Sequence, residues 1–201
     1  MSNNLEKKLN DTTEYSEKIF RNINFIGKKL NESVFNNCTF EHCDFSEAEI
    51  YLCRFDKCKF KSCTINVSKF TKTKLIDSEF VNSRLTGINW SLCDASMGFR
   101  IKCVECDLSY STFAHMDLSN SIFTSCKMME MEFSDAILKH VTFKKSDLLN
   151  TYFLRNDLSD ADFCESVNYI FDLRQNKVKK AKFMVPEVLN LFIPFEISLE
   201  Q

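Results

Sequence analysis

The sequence predicts a solenoid: a rod of short straight segments and corners, each segment turning one bulky side chain inward. The first observation behind this is a period of five. From Phe20 to Trp90 every fifth residue is large and apolar, beginning Phe20, Phe25, Leu30, Phe35, Phe40, Phe45 and continuing without a miss. With 44% of the chain hydrophobic, chance gives such a run roughly a few times in a million for a fixed frame. The second observation is the residue two before each centre, which is usually small, as at Ser33, Cys38, Cys43, Ala48, Cys53 and Cys58. The third is composition. Phe 20 and Cys 10 are in excess, whereas Gly 3 and Pro 2 are few for strands joined by ordinary tight turns. A period of five fits neither the helical nor the strand repeat. It gives each segment a bulky centre, a small second inward residue at a cramped corner, and three residues for water.

The elements follow in order. Residues 1–14 are a polar N-terminal segment. Residues 15–183 hold the repeat in two frames. The first ends at Trp90, and the frame then slips by three residues within 91–102, "SLCDASMGFRIK". Gly98 could supply a positive-φ corner there, and a kink or bulge is expected. The second frame reads Cys103, Leu108, Phe113, Leu118, Phe123 and onward to Phe163, misses at Asn168, and returns at Leu173, Val178 and Phe183. Residues 184–201 break the pattern. Pro186 marks a short helix with Val185, Val188, Leu189 and Phe192 on one face. Ile193, Phe195, Ile197 and Leu199 then alternate as in a strand. This segment is expected to cap the last coil. Its surplus of apolar residues predicts a twofold homodimer interface through Val188, Leu189, Leu191, Phe192, Ile193 and Phe195.

"SDADF" at 159–163 and "SEAEI" at 46–50 resemble the Ala-Asp/Asn-Leu-x-x unit of the pentapeptide-repeat family. The resemblance implies an all-β fold, a right-handed quadrilateral β-helix with four pentapeptides per coil. Residues twenty apart then stack on one face. Phe113, Phe133, Phe153 and Leu173 form one series, and Phe123, Phe143, Phe163 and Phe183 another. Aromatic and aliphatic faces alternate in this half. Coils spaced ~4.8 Å apart make a rod about 40 Å long.

Several chemistries are excluded at this level. "CVEC" at 103–106 has the spacing of a redox or zinc motif, but thiolates there would have to converge on one point. The repeat accounts for it as a centre followed by a small slot. Cys38, Cys43, Cys53, Cys58, Cys63, Cys93, Cys106 and Cys126 all occupy the small slot, and only Cys164 faces outward. His42, His115 and His140 fall two residues after a centre, in an outward slot. No phosphate loop, nucleophile elbow or metalloprotease helix is present, so the chain reads as non-enzymatic and without a cofactor. No export signal or apolar span appears, which predicts a cytoplasmic protein with reduced thiols and no membrane partner. A formal net charge of -2 argues against direct nucleic-acid binding.

The charge layout is more informative than its total. Residues 51–102 are strongly basic, centred on Arg54, Lys57, Lys59, Lys61, Lys69, Lys72 and Lys74. Residues 103–165 are strongly acidic and supply a candidate partner-binding face of Asp117, Glu130, Glu132, Asp135, Asp157, Asp160, Asp162 and Glu165. "SEKIFRNINFIGKKLNESVFNNCTF" at 16–40, the Gly-containing break and "DLRQNKVKKAKF" at 172–183 resemble the Qnr-type quinolone-resistance subgroup. That resemblance implies a dimer joined through the C-terminus. It also implies mimicry of B-DNA towards a type II topoisomerase, DNA gyrase or topoisomerase IV. No projecting-loop residue of that subgroup is carried over, because the pentads run uninterrupted on both sides of the slip. The alternative is a structural scaffold for another partner, using the basic 54–74 face.

Overall fold

The computed structural model describes residues 13–197. Most of the N-terminal segment, and Leu199 of the anticipated strand, lie outside them.

The centres are buried as the period requires, because apolar surface withdrawn from water is the main term favouring the fold. Three-residue strands such as Lys29–Asn31, Glu49–Tyr51 and Lys69–Thr71 each bury only the middle residue. They pair in parallel with a register of twenty, Leu30 on Ile50 and Ile50 on Phe70. The chain is thus a parallel β-solenoid with four faces. Face 1 carries Leu30, Ile50, Phe70, Trp90, Phe113, Phe133 and Phe153 in succession. Face 2 begins with Tyr15, Phe35, Phe55 and Leu75, face 3 with Phe20, Phe40, Phe60 and Phe80. Face 4 holds Phe25 and Phe45 and, further on, Leu108 and Met128.

Within a face, rings stack. Phe60 lies 4.8 Å from both Phe40 and Phe80. Between faces they meet edge to face, as Phe113 and Phe123 do at 5.9 Å. Both arrangements suit the aromatic quadrupole.

The scarcity of glycine is resolved at the corners. Along both frames the residue two past a centre adopts a left-handed backbone whatever its identity, as at His42 (φ 54), Lys57 (φ 51), Asp135 (φ 52) and Arg155 (φ 53). Leu92, after Trp90 at the slip, is an exception and lies in a 3-10 turn. That conformation costs an L-residue roughly 1–2 kcal/mol. It is offset by a hydrogen bond to the next coil, such as the Lys57 amide donating to the Ile76 carbonyl at 2.8 Å.

The small slot does more than save space. The Cys63 thiol donates to the Phe40 carbonyl (3.4 Å), and the Ser83 hydroxyl donates to the Phe60 carbonyl (3.3 Å) while accepting the Cys63 amide (3.0 Å). Thiol and hydroxyl serve equivalent carbonyls one coil apart, so Cys63→Ser should shift stability by under about 1 kcal/mol. Cys63→Leu should cost ~1–3 kcal/mol by overpacking. Urea denaturation followed by circular dichroism measures both.

At the slip the core stays continuous. Trp90 stacks between Phe70 (5.3 Å) and Phe113 (5.6 Å), and Phe80 pairs with Cys103, a register of twenty-three. Asp94 keeps its place, with its amide on the Thr73 carbonyl. Residues 95–98 then bulge outward from face 2, and Phe99 returns to the interior. The expected bulge is present, and the extra residues stand on one face only.

Two expectations at the C-terminal end are corrected. Phe171, not Leu173, covers Phe153, with ring centroids 5.1 Å apart, and Tyr169 is buried against Phe163. Asn168 takes a positive φ (62) and its amide bonds to Glu187, so the chain delivers the next two aromatics in its place. The terminal helix is a 3-10 helix, Glu187–Phe195, which absorbs Ile193 and Phe195 and leaves no strand there. A three-residue turn aligns Val188, Leu191 and Pro194 rather than the α-helical set. Leu191 is buried over the core and Val188 packs beside it, while Val185, Leu189 and Phe192 remain exposed.

Candidate interaction surface

The outward residues fall into three positions per pentad: one before the centre, one after it, and the corner. Asp117, Asp157 and Asp162 stand immediately before centres. There each carboxylate accepts the amide two residues on: Ser119 at 2.9 Å, Ser159 at 3.2 Å and Cys164 at 3.0 Å. Asp44, Asp107 and Asp147 do the same. These acids shape the bend as well as charge the surface. The signal in the sequence is Asp-Leu-Ser across a centre, at 107–109, 117–119 and 157–159. Charge counting alone missed it.

The eight candidate acids are not gathered on one face. Asp117 and Asp157 belong to face 2, on a column with Ile137 between them. Glu132 lies on face 1, opposite Thr112 and Tyr152 in the ladder. Asp162 lies on face 3, and Glu130, Asp135, Asp160 and Glu165 occupy corners. Asp157, Asp160 and Asp162 form a local run that wraps one corner of one coil, and Glu130, Glu132 and Asp135 form another along face 1.

Bases also meet several of these acids. Asp135 takes a two-pronged contact from Arg155 (2.6 and 2.7 Å), and that guanidinium holds its carboxyl below the usual range. Asp157 faces Lys139 at 3.5 Å, Asp162 Lys144 at 3.3 Å, and Glu165 Lys145 at 3.5 Å.

The thiols and imidazoles occupy the places their slots predict. Burial pushes the Cys58 and Cys126 thiols up to about 12 and raises Cys103 as well. Buried thiols of this kind stay protonated and unreactive at neutral pH. His42, His115 and His140 are exposed at corners. Among the described residues no group of three His, Cys, Asp or Glu is placed to hold a metal ion.

The sequence pattern that defines the pentapeptide repeat region matches residues 33–105 and 99–168. The chain belongs to the pentapeptide-repeat family. Among solved structures of pentapeptide-repeat proteins it is similar to HetL, involved in heterocyst differentiation regulation, from the cyanobacterium Nostoc sp. strain PCC 7120. The TM-score is 0.65 at 12% identity over 89% of each chain. It is also similar to full-length QnrB1, a plasmid-mediated fluoroquinolone resistance protein, with a TM-score of 0.50 at 17% identity over 92% of this chain and all of that one. Both likenesses establish the shared fold. Among curated proteins no sequence matches the chain.

In this pentapeptide-repeat protein the basic stretch is likewise spread over faces. Lys59 pairs with Glu79 (3.2 Å), Lys61 with Glu41 (3.9 Å), Arg54 with Asp56 (2.7 Å) and Lys74 with Asp94 (3.4 Å). Lys72 leans over the Tyr51 ring. Exposed ion pairs of this kind each contribute little. Among the described residues no helix is long and apolar enough to cross a membrane.

Proposed function

We propose that this pentapeptide-repeat protein is a non-catalytic, cytoplasmic binding rod whose partner is a type II topoisomerase, DNA gyrase or topoisomerase IV. It engages that partner through its acidic C-terminal half and modulates quinolone susceptibility. The Qnr-like segments at 16–40 and 172–183 motivate the choice of partner, and the fold shared with a fluoroquinolone resistance protein agrees with it. The run of Asp157, Asp160 and Asp162 around one corner carries the reading to particular residues. Because Asp157 and Asp162 already face lysines, recognition rests on the placement of individual carboxylates rather than on an unbroken negative field. DNA presents one charge per ~1.7 Å, a density this surface does not reach.

Dimerisation belongs to the same proposal. Leu189, Phe192 and Ile193 are exposed at the C-terminal end and are the candidates to join two rods. Leu191 serves the cap instead.

Replacing Asp157, Asp160 and Asp162 together by lysine is expected to abolish any effect on gyrase supercoiling, with and without ciprofloxacin. The matching asparagine variant, which keeps oxygen acceptors for the Ser159 and Cys164 amides, should lose the effect as well, and circular dichroism checks that both are folded. If the unaltered protein neither binds gyrase nor changes supercoiling, the topoisomerase reading is wrong. The spread of acids over several faces favours a second reading, a scaffold for a different partner, under which the triple variant leaves gyrase assays unaffected.

A further inference from the structure

Face 1 differs from faces 2 and 3. Face 2 carries the bulge at 95–98 and face 3 is lined by ion pairs along its length. Face 1 and its two corners expose a band of large apolar side chains: Tyr51, Leu52, Val67, Leu92, Tyr110 and Tyr152. Val67 is 59% exposed and Tyr110 60%. One coil either side of the slip its charges differ in sign: Lys69 and Lys72 lie before it, Glu132 and Asp135 after it. Further out, the face and its corners carry Lys29, Glu32, Glu47 and Glu49 before the slip and Arg155 after it. Among the described residues Lys69, Lys72 and Glu132 make no ion pair, and Lys69 only adds to the field that lowers the Glu49 carboxyl.

We infer that face 1 is a self-association surface, on which a second copy of this chain lies side by side and antiparallel. The argument is one of symmetry and charge. A twofold axis in the contact plane, parallel to the strands and midway between the Trp90 and Phe113 levels, reverses the rod but preserves each residue's slot. Each residue then faces the same slot at the mirror level. Phe70 lies one coil before Trp90, and Phe133 one coil after Phe113. Lys69 therefore meets Glu132 of the partner subunit, the one pair in which both charges lack an ion pair in the single rod. Lys72 comes beside Asp135 of the partner subunit, which keeps its own Arg155 contact. One level nearer the axis, Gly87 meets the partner subunit's Tyr110. Gly87 has no side chain and sits beside Val67, so it leaves a notch for that ring. Every such contact occurs twice, as an isologous interface demands.

The same operation does not suit face 4, where it sets Asp44 against Asp147 of the partner subunit. On face 3 the central charges, Glu79 and Lys102, already bond to each other at 2.7 Å. Five residues at ~3.3 Å by seven coils at ~4.8 Å give about 550 Å² per copy. The total of about 1,100 Å² is at the lower end for a specific interface, so the pairing is reversible and sensitive to salt.

The test uses the full chain carrying Ile193→Asp, which blocks end-to-end joining at an exposed position. Sedimentation and small-angle scattering should show a dimer at low salt that keeps the length of one rod and dissociates as salt is raised. Lys69→Glu alone and Glu132→Lys alone should each weaken it by roughly tenfold or more. The double swap Lys69→Glu with Glu132→Lys should restore it, because each copy then supplies the reversed pair. Circular dichroism confirms that each variant is folded. A monomer at low salt, a dimer doubled in length, or a double swap no better than the single ones overturns the inference. Gyrase assays are independent of this result, so the failure of either proposal is visible by itself.

Discussion

Phe113→Ala is expected to destabilise the rod by ~3–5 kcal/mol, the range for deleting a large buried aromatic. Its ring is fully buried and closes the stack across the slip, 5.6 Å from Trp90 and 5.7 Å from Phe133. No neighbouring side chain can collapse into the gap without leaving its own level, because backbone pairing fixes each level. The loss should therefore lie near the upper end of that range. Trp90 is the only tryptophan in the chain, so its fluorescence reports directly on the altered site. Urea titrations followed by fluorescence and by circular dichroism should both move to lower denaturant. In a solenoid, stability is a sum of neighbour terms. If the cavity uncouples the two halves, the two signals will separate, with fluorescence changing first.

Asn156→Leu should be nearly as harmful although the shapes are similar. Asn156 is buried in a small slot, where its amide nitrogen donates to the Phe133 carbonyl (2.7 Å) and its oxygen accepts the Ala136 amide (2.9 Å). Leucine strands both backbone groups at about 1–3 kcal/mol apiece. Asn156→Ser should recover part of the loss, because serine and threonine fill the same slot elsewhere, as Ser146 and Thr151 do. Thermal melts of the two variants side by side would distinguish hydrogen bonding from packing. Equal losses would mean that volume alone governs the slot.

The period of five was legible because burial leaves no choice. One residue in five must fill a square interior, and Phe20 to Trp90 do so without exception. Where the chain leaves that rule, the sequence was less informative. Asn168 breaks the frame, and nothing local announces that Tyr169 and Phe171 will fill the coil instead. That outcome depends on Glu187, nineteen residues away, meeting the Asn168 amide. The terminal segment was misread because α and 3-10 helices share composition and differ in which residues align. The outer surface was legible only as a sum. Net charge by segment ignores that successive pentads turn by a quarter, so neighbours in sequence such as Glu130 and Asp135 point to different sides. The bend-forming carboxylates escaped notice for the same reason, since a count of acids does not separate those occupied by an amide from those left to solvent.

The left-handed corners have one more consequence. Because serine, histidine, lysine, leucine and aspartate all take up that backbone shape here, the exterior is a grid whose vertices tolerate nearly any residue without altering the frame beneath. Natural variation can rewrite what the grid displays while folding is left intact. New binding specificities are therefore open to such a chain through single substitutions, with none of the compensating changes that a loop-built site demands.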